Sequence, residues 1–150
     1  GVGNDVSPVL NLPLEPLWVR TSRIAKQVAP RGRQGFRSVV TNALLPRLRE
    51  FAPDLLIISA GFDAAAGDDG NAQDDVGGLD LTDEDFKWVT TKLCGAVGKG
   101  CPVVSVMEGG YGTMQKDGRA YNRESLAGGA AAHVTALCSH ARDAAHARAH

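Results

Sequence analysis

Apolar residues along this chain fall into two kinds of run, and the two alternate. Leu55-Leu56-Ile57-Ile58-Ser59 and Val103-Val104-Ser105-Val106-Met107 are short and nearly unbroken. Bounded by prolines on one side and by glycines on the other, they predict strands. Consecutive apolar residues in the first, Leu55 to Ile58, predict burial on both faces. Elsewhere the apolar positions recur at helical spacing. Phe36, Val39, Val40, Ala43, Leu44, Leu48 and Phe51 make one stripe, ended by Pro53. Pro46 lies inside it and removes a backbone hydrogen bond, so that helix is expected to kink or split. Phe86, Val89, Leu93 and Ala96 make a second stripe. Thr82 is its expected N-cap, with Asp85 in a variant capping box, and Gly98 to Pro102 should end it. Leu126, Ala130, Val134 and Leu137 mark a last helix, weakened by Gly128 and Gly129.

The remaining segments are less regular. Val9 to Leu14 is apolar but set among Pro8, Pro13 and Pro16, so it is expected as a brief or edge strand. Residues 19 to 35 are basic, are punctuated by Pro30, Gly32 and Gly35, and read as a surface loop with at most one helical turn. Residues 64 to 78 and 112 to 123 read as polar loops, and the Ala, Arg and His tail at 139–150 as frayed. No internal repeat is visible. The predicted order is strand, helix, strand, helix, strand, helix. Strands at 55–59 and 103–107 joined through a helix should be parallel, with their carboxyl ends on one edge. That edge is where open α/β sheets place their chemistry. It would carry Asp63 and Tyr111 together.

Composition narrows the class without naming it. The chain has 150 residues, 43% hydrophobic and 22% charged, as expected for one soluble globular domain. A net charge of −1 gives no electrostatic case for direct nucleic-acid or bilayer binding. Cys94, Cys101 and Cys138 are odd in number and widely spaced, which points to free thiols in a reducing, intracellular compartment. No apolar run approaches a membrane span. The chain opens at Gly1 within what reads as a loop-and-strand region, so it is expected to be part of something longer.

Several residues could carry chemistry, each with a plainer alternative. Asp63 follows a strand, where a carboxylate can complete a metal site, but an Asp capping a turn fits the same position. Tyr111 follows Gly109 and Gly110, which allow a sharp turn. Its neutral hydroxyl could donate to an oxyanion, or the ring could simply pack over the loop. Glu108 is read as an acceptor for turn amides. The acidic run Asp68, Asp69, Asp74, Asp75 lacks EF-hand spacing and is read as a solvated loop. Gly109-Gly110-Tyr111-Gly112 matches no phosphate-loop pattern, so a nucleotide-binding α/β domain is a weak third possibility. His133, His140, His146 and His150 are read as solvated or partly packed. Cys94 and Cys101 are read as small buried hydrophobes.

The two motif strings together resemble the zinc-dependent histone deacetylase family. The carrying residues are Pro53 to Ala64, Gly78-Leu79, Leu81-Thr82, Asp85-Phe86, Val103 to Tyr111, Ser125-Leu126 and His133-Val134, with Asn11-Leu12-Pro13-Leu14 ahead of them. The Glu-Gly-Gly-Tyr string favours the class II-like branch. The resemblance implies an α/β fold of arginase/deacetylase type, three layered α/β/α with a mostly parallel sheet. This chain would be the carboxyl-terminal part of that domain, matched over about 1–138. It implies a lysine deacetylase in which Asp63 matches a zinc-binding Asp and Tyr111 the oxyanion tyrosine. The other zinc ligands and a tandem histidine pair are expected upstream of this chain, so the fragment alone should be inactive. Ala65 and Ala66 depart from the family's usual continuation, and the loop after them is lengthened. Acetylated histones or other acetyl-lysine proteins are the implied substrates, an acetylated polyamine being a further possibility. Corepressor-type proteins are implied partners, and the nucleus or cytoplasm the implied location. The alternative is an inactive deacetylase-like interaction module or truncated gene product.

Overall fold

The computed structural model describes residues 9–14, 25–71, 78–115 and 121–148. Expectations for 19–24, for Asp74, Asp75 and for His150 lie outside them. Helix α1, Ala25–Val39, occupies much of the stretch expected to be loop. Proline and glycine lower its intrinsic propensity, but ion pairs from Arg33 and Arg37 to a distant helix hold it in place. A π-helical turn, Val40–Leu44, then passes into α2, Leu45–Phe51. Pro46 stands in the first turn of α2, so the expected break is present. The wide turn before it accommodates the missing N–H and the ring. Helix α2 ends at Ala52 in the left-handed region, φ 46°, just before Pro53.

Strands β1, Leu56–Ala60, and β2, Val103–Met107, pair in parallel with Leu56 opposite Val103 and Ala60 opposite Met107. Helix α3, Asp83–Val97, connects them in sequence, and α4, Glu124–Arg148, packs along α3. A hydrogen-bonded ribbon of β3, Thr113–Met114, and β4, Tyr121–Asn122, lies within the expected polar loop. The core gathers at the carboxyl ends of the sheet, where Phe62, Ala65, Leu81 and Phe86 are buried against Leu126 and Ala130. The Phe62 and Phe86 rings lie 5.1 Å apart between centroids. Burial of each such side chain stabilises the fold by about 2–3 kcal/mol. Among the described residues no helix is long and apolar enough to cross a membrane.

Four expectations need correction. Residues 9–14 form no strand; Pro13 cannot donate to a ladder, and Val9 and Leu10 are exposed. The sheet is not buried on both faces, because Ile57, Val104 and Val106 are exposed on the side away from the core. The stripe of α3 is rotated: Phe86, Thr90 and Cys94, one i, i+4 row, are the buried positions, with Asp85 beside them. The tail is helical to Arg148, where alanine, the strongest helix former, recurs.

Helix α4 approaches the core closely because Gly129 has no side chain. A Cβ there would stand 3.0 Å from the Phe62 ring and 3.1 Å from that of Phe86. One turn further on, His133 takes the place against the core, while Val134 is exposed. The His133 ring is buried, bonded through Nδ1 to the Thr90 hydroxyl at 2.7 Å and through Nε2 to the Ser105 hydroxyl at 2.8 Å. It therefore ties α4 to both α3 and β2, and burial pulls its pKa down. The other thiol and histidine expectations divide. Cys94 is a buried small residue whose pKa burial raises, Cys101 is half-buried, and Cys138 is exposed; all three are free.

Candidate functional site at the carboxyl edge of the sheet

Parallel pairing brings the chain out of β1 and β2 at the same edge, and the backbone keeps the two exits together. Glu108 N donates to Ala60 O at 2.9 Å, and Phe62 N to Gly109 O at 3.3 Å. The Asp63 carboxylate consequently lies against the glycine turn. A Cβ built on Gly109 would meet Asp63 Oδ1 at 2.4 Å and Oδ2 at 3.0 Å. Gly109 and Gly110 have φ of +110° and +106°, so a side chain would be both strained and obstructed. Gly109 is thus required by the carboxylate beside it as well as by the turn, and Gly110 by the turn and by Phe62 and Leu126, which crowd it.

Asp63 Oδ1 is buried and accepts no hydrogen bond from the described residues. Leaving such an oxygen without a partner costs about 1–3 kcal/mol, more when it is charged. Its chemistry suits a cation ligand. Among the described residues, however, no three His, Cys, Asp or Glu side chains are grouped to hold a metal. One fitting donor is present, and a complete ligand set is not.

Tyr111 follows the glycines at the same edge, with a side chain more than half exposed, 56%. Its position is set by its backbone. Tyr111 N donates to Asp68 Oδ2 at 2.8 Å, and Gly112 N donates to the same oxygen at 2.6 Å. Asp68 Oδ1 accepts from Gly70 N at 2.8 Å. Asp68 is 4% exposed and is an anchor, contrary to its expected place in a solvated loop. The role expected for Glu108 belongs to it: Glu108 is exposed, and the turn amides bond to Asp68. Next along the chain, Asp69 N donates to Gly112 O at 2.8 Å and Asp69 Oδ2 accepts from Met114 N at 2.9 Å.

Sequence reasoning placed Asp63 and Tyr111 on one edge, and there they lie. It missed Asp68, although successive amides after two glycines do demand a nearby acceptor. It also missed the buried Thr90–His133–Ser105 chain, for which only the spacing of His133 from Leu126 and Ala130 gave a signal. A separate cleft of about 460 Å³ lies at the amino end of β2, lined by Cys101, Val103, Leu137, Cys138 and His140. It is apart from Asp63 and Tyr111.

Comparison with known proteins converges on one family. Residues 9–128 match the family model described as the histone deacetylase domain. The chain is 38% identical over 73 residues to type-2 histone deacetylase 2 of Dictyostelium discoideum, covering 47% of this chain and 4% of that protein. It is 34% identical over 82 residues to histone deacetylase 7 of Homo sapiens, covering 55% and 8% respectively. With histone deacetylase 18 of Arabidopsis thaliana it shares 37% identity over 81 residues, 53% of this chain and 11% of the relative. The matches therefore span a small part of each relative's length. The helices and parallel strand pair are those of a partial α/β domain of the arginase/deacetylase fold. On the extent of the domain match, this chain belongs to the histone deacetylase family.

Proposed function

We propose that this chain is the carboxyl-terminal part of the catalytic domain of a zinc-dependent lysine deacetylase. The substrate would be acetyl-lysine in histones or other proteins, and the reaction hydrolysis of its acetamide. The observation that carries the reading is Asp63 Oδ1, buried and without a hydrogen-bond donor among the described residues, at the edge that also bears Tyr111. Asp63 would give one carboxylate ligand, and the remaining ligands would come from outside this chain. Bound zinc would supply Lewis-acid activation of water and of the acetamide carbonyl. The Tyr111 hydroxyl would donate to the oxyanion formed on that carbonyl. Its exposure suits a group that meets a substrate arriving from solvent.

With one ligand in place among the described residues, the 150-residue chain would be inactive alone. The exposed outer face of the sheet supports a larger domain, since a two-stranded parallel sheet is normally covered and extended. The complete protein would act in the nucleus or cytoplasm on acetylated protein substrates, with corepressor-type partners. It would bind neither nucleic acid nor membrane directly. The same incomplete set supports a second reading, a deacetylase-like interaction module that uses no metal. Zinc content and deacetylation by the complete protein separate the two. Asp63→Ala should abolish both together, and stoichiometric zinc retained in that variant would remove Asp63 from the ligand set. Tyr111→Phe should keep the zinc and slow turnover by about 10²–10³-fold, the scale of a lost oxyanion donor. An unchanged rate would remove Tyr111 from the reaction.

A further inference from the structure

We propose that Asp68 is a positioning residue for Tyr111, its buried carboxylate setting the direction from which the tyrosine hydroxyl enters the site. The inference rests on the deacetylase reading of Tyr111 given above. A side chain 56% exposed has little packing to fix it, so its direction must be inherited from the backbone. That backbone is pinned on both sides. Before Tyr111, a Cβ on Gly110 would meet Phe62 Cβ at 2.9 Å and Leu126 Cδ1 at 2.8 Å. After it, a Cβ on Gly112 would meet Asn122 O at 2.1 Å. Between these two tight points the free donors are the amides of Tyr111 and Gly112, and one oxygen of Asp68 accepts both, at 2.8 and 2.6 Å.

Two successive N–H groups converging on one anionic oxygen form a small anion nest, and bonds to an ionised acceptor are stronger than neutral ones. The carboxylate is held from behind as well, since Gly70 N donates to its other oxygen at 2.8 Å. Asp68 N donates to Ala65 O at 3.0 Å, which fixes the start of the same turn. All of the side-chain bonds require an acceptor on both oxygens. An amide of the same shape offers an acceptor on one side only and sets a donor against a donor on the other. Asp68→Asn therefore keeps the volume, sets a donor against a donor on one side, at Gly70 or at Tyr111 and Gly112, and takes the charge from the bonds that remain.

The test is a double-mutant cycle in the full-length, zinc-loaded protein, with kcat, KM, zinc content and thermal stability read for each variant. Asp68→Asn should lower kcat by about 10–100-fold, the scale of a misplaced reacting group, with KM within about twofold and zinc retained. In the Tyr111→Phe background the same substitution should change kcat by less than about threefold, because no hydroxyl remains to be aimed. Equal losses in both backgrounds would overturn the proposal, since Asp68 would then act on stability or on another group. Loss of zinc would overturn it too, by placing the effect at Asp63. If Tyr111→Phe alone has no effect, the parent reading fails, and that result is distinct from both. Should Asp68→Asn not fold, Asp68→Glu, which keeps the charge and displaces the acceptor by one methylene, enters the same cycle with the same expected outcomes.

Discussion

Single side chains hold this molecule together across long stretches of sequence, and Asp85 is the clearest case. Its carboxylate is fully buried, 0% exposed, and accepts from Arg33 Nε at 2.5 Å and Arg37 Nε at 2.7 Å. It also accepts from the Thr82 amide at 2.9 Å and the Thr82 hydroxyl at 3.0 Å. Burial pushes its pKa up, but the bonds from Arg33, the Thr82 amide, Arg37 and the Thr82 hydroxyl outweigh it and hold the carboxyl below its ordinary value. A depressed folded-state pKa gives stability that is complete above the unfolded value of about 4 and is lost as pH falls through the folded value. Asp85→Asn should therefore cost about 2–3 kcal/mol at neutral pH, below a fully buried pair because both arginines are partly solvated. It should also flatten the acid limb, as measured by urea unfolding between pH 3 and pH 7. An unchanged acid limb would show that Asp85 is not the titrating group. The Thr82–Asp85 half of this arrangement was legible in the sequence, being a local spacing. The arginines were not, because their partner is set by how two helices cross. Asp68 escaped for the same reason: Glu108 is nearer along the chain, while Asp68 is nearer in space.

Elements were legible where a short-range pattern decides them. Parallel β1 and β2, the break at Pro46, the start of α3 and its end at Gly98 all follow from local residues. Helix faces were less legible, because a face is chosen by what it meets. In α4 the packed row runs through Gly129, His133 and Ala136, and Val134 turns outward. Glycine there looked like a helix weakness and is a packing requirement. Gly129→Val should push α4 off Phe62 and Phe86 and destabilise by about 1–3 kcal/mol, read as a fall in melting temperature. Gly95, inside α3, has nothing within 4 Å of a built Cβ. Gly95→Ala should instead stabilise by about 0.5–1 kcal/mol through helix propensity alone. If both substitutions shift the melting temperature the same way, the contact at Gly129 is not what distinguishes them.

At the scale of the molecule, the outer side of the sheet governs behaviour in isolation. Leu55 just ahead of β1, Ile57 on it and Val104 and Val106 on β2 expose between 47% and 62% of their surface, and among the described residues the two strands pair only with each other. Such a patch favours association. The 150-residue chain alone should self-associate in sedimentation runs, and Ile57→Lys with Val104→Lys should shift it toward monomer. A monodisperse unsubstituted monomer would contradict this. The unbroken apolar run signalled a sheet covered on both faces, and among the described residues only one face is covered. One smaller feature bears on how the site tolerates change. Asn71 Nδ2 donates to Asp80 Oδ1 at 2.6 Å, and Asp80 N returns a bond to Asn71 Oδ1 at 3.1 Å. This pair clamps the end of the segment 63–71, which holds Asp63 and Asp68, to Asp80, next to the buried Leu81. That segment is thereby stitched to the core at its far end as well as at Ala65. A change at Asn71 would reach the chemistry next door through this clasp, without touching either strand.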